Sequence, residues 1–94
     1  MNIDIIKTLL SEKKTRLSEL QERLQAVEND LERAKFEEDM YYYLRDRSKY
    51  TDVFAKKDEE NKSVVDALSA EKEELIKEIK IFKIEIDYIE KILG

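Results

Sequence analysis

Apolar residues recurring at alternating spacings of three and four run through most of this chain, and nothing else in it constrains the fold as strongly. Ile3, Ile6, Leu10, Leu17, Leu20, Leu24, Val27, Leu31 and Ala34, together with Lys13, make five consecutive a/d pairs of a heptad, nine of the ten apolar. That spacing lays one stripe along an α-helix and drives it against a partner helix. A second run answers it. Val65, Leu68, Leu75, Ile79, Phe82, Ile86, Ile89 and Leu93 fill eight of nine a/d positions, with Lys72 as the exception.

Composition leaves little alternative to helix. Charged residues make up 44% of the 94 positions, Pro is absent and the one Gly is residue 94, so the turns of a compact mixed fold lack their usual residues. The expected fold is all-α: one domain over residues 1–94, built as a long antiparallel coiled-coil helical hairpin. Its first arm would cover about 2–45, a turn or aromatic tip about 41–63, and its second arm about 64–93. A parallel dimer of single long helices is the competing arrangement.

A two-helix hairpin of this size buries little apolar surface for its length, and small scaffolds are usually held by disulfides, metal or oligomerisation. With no Cys and no His there is neither a disulfide nor a zinc site. Oligomerisation remains, and a homodimer is expected, as a four-helix bundle or an elongated dimer. Two patches outside the seams favour one interface for it. Ile5 and Leu9 are surplus at the start, while Ile81, Ile84, Tyr88 and Ile92 are surplus at the end. Ile81, Ile84 and Tyr88 fall on c and f positions, away from the seam, and a helix apolar on two faces needs cover on both. In a hairpin turning near residue 47 the two patches gather at the end opposite the turn.

Asn2 suits an N-cap and Asp4 the positive end of a helix dipole. Beyond Ala34 the heptad runs into Glu38, Tyr41, Arg45 and Ser48, one of them apolar, whereas Phe36, Met40, Tyr43, Arg47, Tyr50 and Phe54 line up on another face. Residues 36–57 are therefore expected to stay helical and present a new stripe. The turn has three candidate places, Asp46–Ser48, Thr51–Asp52 and Asp58–Ser63. The early one pairs both seams over their whole length, although Ser63-Val-Val-Asp66 has a capping-box pattern. Lys13 falls opposite Phe82 in that alignment, where its stem would lie over apolar surface and its ammonium against the ring.

Catalysis lacks most of its usual parts. There is no His or Cys for a nucleophile system and no Gly-rich loop for phosphate. The i,i+3 pairs Glu19/Glu22, Glu71/Glu74 and Asp87/Glu90 leave carboxylate–metal chemistry as the one open enzyme class. Such pairs arise readily in a chain with 23 acidic residues, so no enzyme, metal or cofactor is expected.

The functional candidate is the segment 41–57. It holds four of the five tyrosines and five basic side chains against two acidic ones, so it is locally +3 while the rest of the chain carries −8. Tyr and Arg combine contact area with polar reach and are enriched in binding hot spots. Tyr41, Tyr42, Tyr43, Arg45, Arg47, Tyr50 and Phe54 are therefore the candidate partner-binding residues. Three readings stay open: an aromatic plug over the turn, a protein-binding tip, and a nucleic-acid-binding tip that stacks bases and pairs phosphates. The expected function is a non-enzymatic protein–protein interaction module, an adaptor, assembly factor or small inhibitor. Nucleic-acid binding through the same tip is the alternative, and sequestration of a partner helix by Ile81–Ile92 a third. No stretch has the length and apolarity of a membrane span or signal peptide, so a cytoplasmic protein without membrane attachment is expected.

Overall fold

A computed structural model describes residues 2–94. It contains two α-helices, α1 (Ile3–Arg47) and α2 (Thr51–Leu93), joined by the turn Ser48–Tyr50 into an antiparallel helical hairpin. The chain doubles back, so a single unbroken helix for parallel pairing is not what forms. Asn2 caps α1 as expected. Its Oδ1 accepts from the backbone N–H of Asp4 (3.0 Å) and of Ile5 (3.3 Å), two of the donors that a helix start leaves open.

Local chemistry fixes the turn. Ser48 N–H still donates to Leu44 C=O at 2.8 Å, closing the last bond of α1. Its hydroxyl then accepts from Tyr50 N–H (3.0 Å), and Thr51 Oγ1 donates to Ser48 C=O (3.2 Å). Phe54 N–H donates to Tyr50 C=O at 3.1 Å, which starts α2. The Ser63–Asp66 pattern starts nothing. It lies twelve residues inside an unbroken helix, where α2 already has its hydrogen-bond ladder.

Packing divides the chain into two units, Ala26–Lys72, which contains the turn, and Met1–Gln25 with Glu73–Gly94. Within the turn unit Val27, Leu31 and Ala34 are buried, Val27 completely. In the unit of the chain ends Leu20, Leu75, Ile79, Ile86 and Ile89 are buried, while Ile6, Leu10 and Leu17 are half-buried. Every one of these is a seam position of the sequence. Lys13 also behaves as its position requires. Its ammonium lies 5.3 Å from the centroid of the Phe82 ring and 2.7 Å from Glu85 Oε2.

One expectation fails. The heptad does not give way to a new stripe after Ala34. Phe36, Met40, Tyr43 and Tyr50 are exposed, whereas Glu38, Tyr41, Arg45 and Ser48, in the original register, are all half-buried. Counted back from Val65, the second seam likewise continues through Asn61, Asp58 and Phe54. Polar side chains hold these places because each meets a partner across the hairpin. Asn61 Nδ2 donates to the backbone carbonyl of Ala34 at 2.7 Å. Asp58 Oδ2 lies 3.8 Å from Arg45 and 3.5 Å from Lys62. Tyr41 stacks on Phe54, with centroids 6.3 Å apart.

Asp58 is only 2% exposed and its Oδ1 accepts no hydrogen bond. A buried carboxylate with long ion pairs is a poor source of stability but a good device for choosing one alignment. Replacing both Asp58 and Asn61 by Leu is expected to raise the unfolding free energy by an amount on the order of 1–4 kcal/mol, read as a higher urea midpoint. The same change should yield more than one pairing or oligomeric species by light scattering. A lowered midpoint with one species would show that the polar layer stabilises the fold without selecting it.

Candidate functional site

The seven residues proposed for partner contact separate into two groups, and the heptad explains the division. Tyr41 and Phe54 are d positions and Arg45 an a position, so they face the opposite helix and are half-buried. Tyr41 and Phe54 stack at 28° between ring planes, and the Lys57 ammonium stands 6.0 Å from the Tyr41 centroid. Arg45 reaches Asp58 inside the seam and Asp46 at 3.5 Å outside it. These three form the plug of the turn, one of the three readings of the segment.

Tyr42, Tyr43, Arg47 and Tyr50 lie outside the seam and are exposed. Each outer ring carries a cation. The Arg45 guanidinium carbon lies 4.9 Å from the Tyr42 centroid, that of Arg47 lies 4.1 Å from Tyr43, and Lys49 Nζ lies 5.5 Å from Tyr50. A cation over an exposed ring is worth about 0.5–1 kcal/mol and orders both side chains before a partner arrives. The turn end thus presents three tyrosine rings and their bound cations, on a short connection held by the Ser48 and Thr51 hydroxyls.

Sequence reasoning missed the buried pair Asp58 and Asn61. The signal was present, since stepping back by four and three from Val65 lands on both. A heptad followed only through apolar occupants stops at Val65 and leaves both in the turn segment.

The six surplus apolar residues are all exposed, with Ile84 at 70% and Ile5 and Tyr88 both at 66%. All six belong to the unit of the chain ends. Among the described residues no group of three or more acidic side chains converges as a metal site. No helix among them is long and apolar enough to cross a membrane. No family model, curated protein or solved structure matches the chain.

The split between plug and outer residues is measurable. Phe54→Ala is expected to lower unfolding stability by about 2 kcal/mol, less than the ~3–5 kcal/mol of a fully buried Phe. Tyr43→Ala should change it by no more than about 0.5 kcal/mol. Urea denaturation of both variants checks this, and equal losses would put Tyr43 in the plug.

Proposed function

We propose that this chain is a non-enzymatic protein–protein interaction module that captures a partner through the turn end of a helical hairpin. The paired seams supply a stiff support. Tyr42, Tyr43, Arg47 and Tyr50 supply contact, and Tyr41, Arg45 and Phe54 hold that end in place. The observation that carries the reading is the set of three exposed tyrosines, each with a cation over its ring, in a basic segment of an acidic chain.

Such a surface suits a partner with acidic and apolar groups side by side. Acidic side chains would meet Arg47 and Lys49, and the ring faces would take apolar contacts. Recruitment, assembly and inhibition are all within reach of a module of this kind, and the cytoplasm is the compartment in which we place it. The same cations and rings favour a second reading, a single-stranded nucleic acid with phosphates on the cations and bases on the rings. The net charge of −5 weighs against it as a bulk effect.

Affinity capture from nuclease-treated lysate, with the native chain and with Tyr42→Ala combined with Arg47→Ala, tests the proposal. The native chain is expected to retain a partner that the double variant loses at least tenfold, with helicity and melting unchanged. Capture that is equal for both, or binding of labelled RNA or DNA by the native chain that falls steeply between two salt concentrations, would overturn it.

A further inference from the structure

Arg45 is the side chain at the turn end that belongs to both the plug and the outer contacts. Within the unit Ala26–Lys72 its guanidinium lies 3.8 Å from Asp58 Oδ2 inside the seam, and its carbon stands 4.9 Å from the centroid of the Tyr42 ring outside it. Local geometry accounts for the second contact. Arg45 follows Tyr42 by three residues on α1, and helical side chains lean toward the N-terminus of their helix, so the stem passes over Tyr42. Arg47 reaches the Tyr43 ring in the same way, from four residues on. The two cations differ in what else they meet. Among the described residues Arg47 has no carboxylate within ion-pair distance, whereas Arg45 has Asp58 and, at 3.5 Å, Asp46.

Two carboxylates therefore pull on one guanidinium, and the buried one pulls harder. The Asp58 side chain is 3% exposed and that of Asp46 56%. A charge held out of water acts through a lower effective dielectric than one that water surrounds, and salt screens it less. Asp46 is hydrated whether or not Arg45 attends it. Asp58 is not. Its Oδ1 accepts no hydrogen bond, and its other cation, Lys62, is an exposed ammonium at 3.5 Å that water can reclaim. The attraction to Arg45 also carries no hydrogen bond, because 3.8 Å is beyond bonding distance. Asparagine, with the same shape and no charge, removes that attraction while leaving the seam filled.

We propose that Arg45 is a positioning residue held by the buried Asp58 carboxylate, so that the charge on Asp58 sets the cation over Tyr42, one of the three cation–ring pairs of the contact surface. The consequence is a link between alignment and contact. A hairpin slipped by one heptad takes Asp58 away from Arg45 and leaves Tyr42 without its anchored cation, so the complete surface forms on the correctly paired hairpin. Tyr43 and Tyr50 have no such link, since among the described residues Arg47 and Lys49 lie over them with no carboxylate behind. The meaning of this link for binding rests on the proposed function, but the ring signals are read without a partner, so either can fail alone.

Nuclear magnetic resonance on the full chain tests the proposal. In the native chain the Arg45 Nε–H is expected to be more ordered on the ps–ns timescale than that of Arg47. In Asp58→Asn the Tyr42 ring-proton shifts should move most of the way to their values in Arg45→Gln, with Tyr43 and Tyr50 unmoved and helicity retained. Adding Asp58→Asn to Arg45→Gln should move Tyr42 no further, as a double-mutant cycle requires when the effect passes through Arg45. An Arg45 Nε–H as mobile as that of Arg47 overturns the proposal, and that result needs no variant to fold. So does a Tyr42 signal that Asp58→Asn leaves unchanged or moves together with Tyr43 and Tyr50. A Tyr42 shift of equal size with and without Arg45 also overturns it, and assigns Asp58 to the packing of the plug alone.

Discussion

Burial of a/d side chains between α1 and α2 is the interaction on which the rest depends. Each helix is more than forty residues long, with charged residues over most of its surface, so neither has a reason to persist alone beyond its seam. Tertiary packing of an amphipathic face supplies most helix stability in such cases. A buried Leu or Ile contributes about 1.5–3 kcal/mol, and Leu20, Val27, Leu31, Leu75, Ile79, Ile86 and Ile89 are spread along both helices. The turn at Ser48–Tyr50 follows from that demand. It is the place from which the two seams can be laid together over their whole extent, and its hydroxyls satisfy the groups that the two helix ends leave open.

Apolar contacts of this kind are nearly interchangeable from one heptad to the next, and a sliding pair would bury almost as much. The polar steps in the seam remove that freedom. Asn61 bonds to one backbone carbonyl, that of Ala34, and Lys13 has both a ring and a carboxylate opposite it. Asp58 has cations only where Arg45 and Lys62 place them. A shift by one heptad would strand all three. Alignment and stability therefore come from different residues in the same stripe. The alignment also determines which tyrosines are left outside the seam at the turn end.

The sequence made the architecture legible because the heptad signal is dense and the composition offers no competing turn chemistry. Asn2 as cap, Lys13 against Phe82 and the early turn could all be read from residue spacing. After Ala34 the side chains turn polar while the register continues, so polarity is the wrong guide to where the seam ends and register the right one. Glu38, Tyr41 and Arg45 keep the three–four spacing forward from Ala34, and Asn61 and Asp58 keep it back from Val65. The plug and contact roles of the tyrosines could not be separated by composition. That distinction depends on which rings point across the hairpin, and once each helix's register is carried up to the turn it follows.

A distance between the arms tests the central claim most directly. Spin labels on cysteines replacing Leu10 and Ile86, in chains diluted with unlabelled protein so that only intrachain pairs report, should lie within roughly 20 Å, about two helix diameters. A narrow distribution at that separation is the predicted result. A separation several times larger would mean that the two seams do not meet within one chain, and would contradict the hairpin itself.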